Sequence, residues 1–170
     1  MKILIVDDCQ IIQKLTLTAC RKLGFEAAVA SSGEDAIEQI RGEYYDIILM
    51  DIHMSGMNGI ETTVKIRELN PVETGLYIMA FTIDRGVIKT ALRSGMNGTI
   101  TKAPYSSQFM WEMQNLHQAI TVQKSTQRVN MNAVERPFAK QRSRLSREPH
   151  LMSGRSSNTV GYLAGTTGTL

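Results

Sequence analysis

Five polar residues stand directly after apolar runs of the sequence and carry groups suited to phosphate chemistry. Asp7 and Asp8 follow the first run, Asp51 follows the third, and Thr82 and Lys102 follow the fourth and fifth. If these runs are neighbouring strands, three carboxylates, a hydroxyl and an ammonium group meet at one edge of a sheet. Three like charges repel, so one carboxyl stays protonated unless a cation is bound. Because Mg²⁺ binds through one or two carboxylates plus a phosphate, this set predicts a magnesium site.

The same residues could carry out phosphoryl transfer. An aspartate in such a site can act as a covalent nucleophile toward phosphorus. Lys102 can pair with a carboxylate at rest and with a phosphoryl oxygen when one arrives, and Thr82 can donate a hydrogen bond to the same group. The metal, Lys102 and backbone amides would then stabilise the charge on the transferring group.

The elements that must position these residues are five short apolar runs in alternation with amphipathic stretches. The predicted strands are Lys2–Val6, Glu26–Ala30, Asp46–Met50, Leu76–Ala80 and Thr99–Thr101. The predicted helices are Gln10–Leu23, one that begins near Ser32, Ile60–Leu69, Asp84–Ser94 and Ser106–Ile120. This order predicts an α/β fold, a doubly wound five-stranded parallel sheet with helices on both faces. Ligands of such sheets bind outside the carboxyl ends of the strands.

The charge distribution divides the chain of 170 residues into a domain and a tail. Residues 1–120 carry 11 basic and 14 acidic side chains, whereas residues 121–170 carry 8 basic and 2 acidic ones. The tail lacks sustained periodicity, so we expect it to be a basic, disordered segment. The net charge of +3 therefore reflects the tail and does not mark the whole protein as a nucleic-acid binder.

The location is predicted from three features. No apolar run approaches the roughly 20 residues that a membrane span needs, so no membrane insertion is expected. Asp7 and Asp8 interrupt the apolar stretch that an export signal would continue, which favours a cytoplasmic protein. Cys9 and Cys20 lack metal-type spacing and are expected to be buried, reduced thiols.

Several motifs together resemble one known family. They are Ile-Leu-Ile-Val-Asp-Asp at 3–8, Ile-Ile-Leu-Met-Asp-Ile-His-Met at 47–54, Gly-Met-Asn-Gly at 56–59, Phe-Thr at 81–82, and Gly-Met-Asn-Gly at 95–98 followed by Lys102. Over residues 1–120 the chain resembles the response-regulator receiver domain of two-component signal transduction, the family of the bacterial chemotaxis regulator. The resemblance implies a flavodoxin-like strand order, 2-1-3-4-5.

The resemblance also implies a role for each site residue in a phosphorelay. Asp51 would accept a phosphoryl group from a phosphohistidine on a sensor histidine kinase or a histidine phosphotransfer protein. The implied ligands of Mg²⁺ are Asp7, Asp8, Asp51 and the main-chain carbonyl of His53, and the implied contacts of the phosphoryl oxygens are Thr82 and Lys102. The protein would not be an enzyme in the usual sense, since it catalyses only its own phosphorylation and dephosphorylation.

Output is expected through a downstream protein partner on the face formed by the fourth helix, fifth strand and fifth helix. A second interpretation makes the tail the output, because a basic segment in it could bind nucleic acid or an acidic partner. The residues of that segment are Arg136, Lys140, Arg142, Arg144 and Arg147. A third interpretation is a pseudo-receiver that only binds and is never phosphorylated; the intact set of acids argues against it.

The sequence departs from the family pattern at four places. Ser55 replaces the usual proline and is expected to loosen the loop after the acceptor. Ala103 precedes Pro104, a bond for which either the cis or the trans isomer is allowed. Ile83, where a small residue is usual, either crowds the approach of water to the phosphoryl group or turns outward. Thr99 occupies the position of the aromatic switch residue, so no aromatic rotamer change is expected there.

Overall fold

The computed structural model describes residues 1–69 and 75–145, and it places side chains up to residue 126. The chain divides into two compact units, Met1–Ser125 and Thr126–Leu170. The first unit contains the sheet and the candidate site. Of the second unit, only helical backbone up to Leu145 is described.

The sheet has five parallel strands in the order β2-β1-β3-β4-β5. The strands are β1 (Lys2–Val6), β2 (Glu26–Ala30), β3 (Ile47–Asp51), β4 (Tyr77–Thr82) and β5 (Gly98–Thr101). The fold class and the strand order 2-1-3-4-5 are therefore confirmed. Since all strands run the same way, their carboxyl ends lie at one edge, and β1 and β3 are neighbours there.

Five helices cover the sheet on both faces. They are α1 (Gln10–Lys22), α2 (Gly33–Gly42), α3 (Gly59–Leu69), α4 (Ile88–Arg93) and α5 (Ser107–Leu145). One buried cluster joins alternate strand residues to the second, third and fourth helices, for example Ile48, Ala36 and Ile66. The other joins the remaining strand residues to the first and fifth helices, for example Leu49 and Phe109. The central residues of β1, β3 and β4 are apolar because both faces are covered.

Local sequence signals explain several of the helix boundaries. The Ser32 hydroxyl caps α2 by accepting the N–H of Asp35 at 3.1 Å. Gly24 adopts a left-handed conformation, with φ of 78°, just after α1. The fourth helix starts later than predicted, since the Asp84 carboxylate accepts the Gly86 N–H at 2.7 Å. That bond forms an Asx turn in place of the first helical turn.

The fifth helix continues beyond its predicted end at Ile120. Residues 121–136 contain neither glycine nor proline, so none of them carries the strong helix penalty of those types. Residues 121–145, expected to lack periodic structure, are helical, whereas residues 146–170 lie outside the described residues. Lys124 binds Asp46 through an ion pair, and Gln123 accepts a hydrogen bond from the Tyr77 hydroxyl. The first unit therefore extends to Ser125.

Arg67 fastens α3 to the residue before β4 and to the turn between α4 and β5. Its Nε donates to the Gly95 carbonyl at 2.9 Å, Nη1 to the Leu76 carbonyl at 3.0 Å, and Nη2 to Asn97 Oδ1 at 2.7 Å. Asn97 Oδ1 also accepts the N–H of Ile78 at 2.8 Å. Partial burial lowers the pKa of Arg67 from its usual value.

The two cysteines differ in environment. Cys20 is buried as predicted, and burial raises the pKa of its thiol to about 12. Cys9 is exposed, so its predicted burial is wrong. It immediately precedes α1 at the carboxyl edge of the sheet, where the chain leaves the core.

Candidate functional site

Three carboxylates meet where β1 and β3 end. Asp7 follows β1 and is fully buried, Asp51 is the last residue of β3 and is 4% exposed, and Asp8 is exposed. One oxygen of each carboxylate lies within 4.8 Å of the others. The structure therefore brings together the three acids that the strand-end pattern singled out.

Lys102 places its ammonium group between two of these acids. Nζ lies 2.8 Å from Asp7 Oδ2 and 2.7 Å from Asp51 Oδ2. Burial by itself lowers the pKa of Lys102, but the hydrogen bonds and charges of Asp51 and Asp7 outweigh it and raise this pKa above its usual value. Lys102 is therefore a firmly held cation at neutral pH.

Asp7 is the most desolvated carboxylate of the site. Burial raises the pKa of Asp7, and the contacts with Lys102 and with the Cys9 N–H, 2.9 Å from Oδ1, offset this effect only in part. Oδ2 has an ion-pair contact with Lys102 but no partner with hydrogen-bond geometry among the described residues. A buried carboxylate oxygen with spare acceptor capacity suits a cation ligand.

Asp8 is held by the loop after β3. The N–H and hydroxyl of Ser55 donate to Asp8 Oδ2 at 2.9 and 3.1 Å. These bonds outweigh the small effect of burial and lower the pKa of Asp8 below its usual value. Ser55 thus fastens the loop that it was expected to loosen. The expectation was wrong because no local sequence pattern indicates a partner 47 positions away.

The backbone around Asp51 is fixed by the start of α3. The N–H of His53 donates to Asp51 Oδ1 at 3.2 Å, and the N–H of Gly59 donates to the Ile52 carbonyl at 3.1 Å. A Cβ atom added to Gly59 would lie 2.0 Å from the Asp51 carbonyl oxygen. Only glycine allows this close approach, so Gly59 supports the site, a role that the sequence analysis did not assign when it quoted the motif at 56–59.

Thr82 ends β4, one strand away from Asp51. Its hydroxyl oxygen accepts the N–H of Asp84 at 3.0 Å, and the described residues include no hydrogen bond between this hydroxyl and the three carboxylates. The strand order thus brings Thr82 to the predicted edge without placing it in contact with the acids.

The His53 side chain lies outside the carboxylate cluster. Its ring is exposed, and Nε2 lies 3.8 Å from Asp84 Oδ2. His53 does not belong to the group of possible metal ligands among the described side chains. The structure therefore does not bring the His53 ring to the acids, and the carbonyl ligand that the resemblance implies stays a prediction.

Two other departures from the family pattern are resolved. Ile83 is 77% exposed, which favours the interpretation in which it turns outward. The Ala103–Pro104 bond is trans, since the described residues contain no cis peptide bond. Thr99 borders a surface hollow of about 420 Å³ together with Thr82 and Glu112.

The donor set fits a magnesium ion. It comprises carboxylate oxygens alone, which hard divalent cations prefer, and it includes a buried oxygen with unused acceptor capacity. Counting the cation of Lys102, three ionised acids leave an excess of negative charge that a divalent cation would neutralise.

In the part of the chain that the structure describes, no helix has the length and apolar character needed to cross a membrane.

Comparisons with known proteins give one consistent result. The sequence profile of the response regulator receiver domain matches residues 3–121. The transcriptional regulatory protein ZraR of Escherichia coli K12 is 37% identical over 97 residues, which are 55% of this chain and 21% of that protein. Hybrid signal transduction histidine kinase I of Dictyostelium discoideum is 34% identical over 122 residues, 67% of this chain and 7% of that protein. The chain thus spans only a small part of these relatives.

A solved structure agrees with the fold. The response regulator protein TrrA of Thermotoga maritima, in complex with Mg²⁺-BeF, is 23% identical with a TM-score of 0.60. The similarity covers 70% of this chain and 97% of that one.

Proposed function

Because this chain belongs to the family of response regulator receiver domains, we propose that it accepts a phosphoryl group on Asp51 and signals through a phosphorylation-dependent change of its surface. The observation that carries the proposal is the position of Asp51 beside Lys102 and next to two further acids. Receiver domains are signalling phosphoacceptors, and the only reactions assigned to this one are its own phosphorylation and dephosphorylation. The phosphoryl donor would be a phosphohistidine on a sensor kinase or a phosphotransfer protein.

In the transfer step a carboxylate oxygen of Asp51 attacks phosphorus. An O–P bond forms, the P–N bond to the donor imidazole breaks, and the electron pair of that bond stays on the imidazole nitrogen. Lys102 then exchanges its contact with Asp51 Oδ2 for a phosphoryl oxygen, and Thr82 donates its hydroxyl hydrogen to another. Fixed positive charge of this kind stabilises the negative oxygens of the transferring group.

Mg²⁺ would be held by Asp7, Asp8, Asp51 and the main-chain carbonyl of His53. When bound, it supplies positive charge that offsets the repulsion between an anionic donor and the acidic site. The donor set supports this assignment, as does the presence of Mg²⁺-BeF in the similar structure from Thermotoga maritima.

The output surface that we propose is the face formed by α4, β5 and α5, and its occupant is a downstream protein. Tyr105 and Trp111, 81% and 64% exposed, lie on or beside the fifth helix. Exposed aromatic side chains are enriched at protein interfaces.

A cytoplasmic location is part of the proposal; the free thiols of Cys9 and Cys20 suit a reducing compartment.

The acceptor is tested with Asp51→Asn and a matched control, Asp46→Asn, at the residue just before the opposite end of the same strand. Incubation with acetyl phosphate and Mg²⁺ should add one acid-labile phosphoryl group to the wild type and to Asp46→Asn, detected by intact-mass spectrometry. Asp51→Asn should remain folded and unlabelled. Labelling of Asp51→Asn at the wild-type rate would refute Asp51 as the acceptor.

A further inference from the structure

Ser55 makes a contact that the usual residue of the family at this position could not make. Its N–H and hydroxyl both donate to Asp8 Oδ2, at 2.9 and 3.1 Å. Proline, usual here in receivers, has neither donor. The two bonds join the loop after β1 to the loop after β3, so they connect a proposed metal ligand to the segment that follows the proposed acceptor.

We propose that Ser55 is a positioning residue for Mg²⁺ binding. Its two hydrogen bonds hold the Asp8 carboxylate in the orientation that coordinates the ion. The inference rests on the proposed function, since it assumes that Asp8 is a metal ligand. Asp8 is exposed, and an unrestrained exposed side chain samples several staggered rotamers. Ser55 selects one of them before the ion arrives.

The geometry leaves room for the metal. Both bonds from Ser55 end on Oδ2, whereas an ionised carboxylate offers about four acceptor sites over two oxygens. Oδ1 can therefore coordinate the ion while Oδ2 remains bound to Ser55. Residues that orient metal ligands in this way typically change metal affinity by about 10–100-fold when they are removed.

The experiment is a calorimetric Mg²⁺ titration of the full chain and a graded set of Ser55 variants. Ser55→Thr keeps both donors and should leave the dissociation constant within about twofold of the wild type. Ser55→Ala removes the hydroxyl and should weaken Mg²⁺ binding about tenfold, and Ser55→Pro removes both donors and should weaken it at least as much. Ser94→Ala is the matched control, because it removes a hydroxyl bond to the Ala91 carbonyl at the end of α4.

Each outcome decides the matter. Unchanged or tighter Mg²⁺ binding by Ser55→Ala, while the wild type binds, would overturn the inference and leave the proposed function standing. No Mg²⁺ binding by the wild type would refute the metal site of the proposed function, and the inference with it. A purely structural role would lower the free energy of unfolding of metal-free Ser55→Ala without changing its dissociation constant. If circular dichroism shows Ser55→Pro to be unfolded, the Ala and Thr variants decide.

Discussion

Replacing Gly59 by alanine tests whether the start of α3 sets the position of the acceptor. The added Cβ would lie 2.0 Å from the carbonyl oxygen of Asp51, 2.9 Å from its carbonyl carbon and 3.0 Å from Ile52 Cα. All three neighbours are backbone atoms, so no flexible side chain can move aside. The clash can be relieved only if the helix and the end of β3 separate.

The expected cost combines two opposing effects. Overpacking of this kind costs about 1–3 kcal/mol, whereas alanine in place of a helical glycine recovers about 0.5–1 kcal/mol. We expect a net loss of about 1–2 kcal/mol in the free energy of unfolding, measured by urea denaturation. The shift also moves the Asp51 carboxylate away from Lys102, 2.7 Å from it, and misplacement by about 1 Å can slow a reaction about 100-fold. Labelling by acetyl phosphate should therefore slow by at least about tenfold.

Gly42→Ala is the matched control for this prediction. Gly42 ends α2 and has no left-handed φ, and a Cβ atom added there would meet no other atom within 4 Å. Its replacement should raise stability by about 0.4–1 kcal/mol and leave labelling unchanged. Wild-type stability and labelling rate in Gly59→Ala would refute the proposed role of this close approach.

Two further predictions concern the charged contacts. Lys102→Met should lower the free energy of unfolding at pH 7 by about 3 kcal/mol, because it leaves Asp7 and Asp51 without their buried cation. Burial raises the pKa of Asp7 above 3.8, and the variant loses the Lys102 contacts that partly offset this effect. The folded variant therefore gains more stability than the wild type as the pH falls, and the defect should shrink in acid; an equal defect at pH 4 and pH 7 in urea titrations would contradict this. A chain that ends at residue 122 lacks Gln123 and Lys124, and should be about 1 kcal/mol less stable than one that ends at residue 126, with an unchanged labelling rate. Part of that difference should vanish as the pH falls through the folded-state pKa of Asp46, which lies below 3.8; equal stability of the two chains at pH 7 would show that the contacts contribute nothing.

The parallel sheet and the convergence of its carboxylates at one edge could be predicted from the sequence, because both follow from the order of the strands. Parallel strands present their carboxyl ends at one edge, so residues such as Asp7 and Asp51 converge once the strands are recognised. Contacts between distant loops were not predicted, because no local pattern connects Ser55 with Asp8. The continuation of α5 was missed for another reason. Helical backbone does not require sustained apolar periodicity, so the absence of that periodicity after Ile120 does not end the helix.

The anchoring of Arg67 makes the two ends of α4 unequal. The chain just beyond the carboxyl end of this helix is bonded through Gly95 and Asn97 to Arg67 on α3, and through Asn97 to β4. At the other end, the described hydrogen bonds within the segment from Ile83 to Ile88 join residues two or three positions apart. The carboxyl end of α4 is thus held by polar bonds to α3 and β4, whereas its amino-terminal end is held by the packing of Val87 and Ala91 against the core. The two ends of the helix therefore depend on different kinds of interaction.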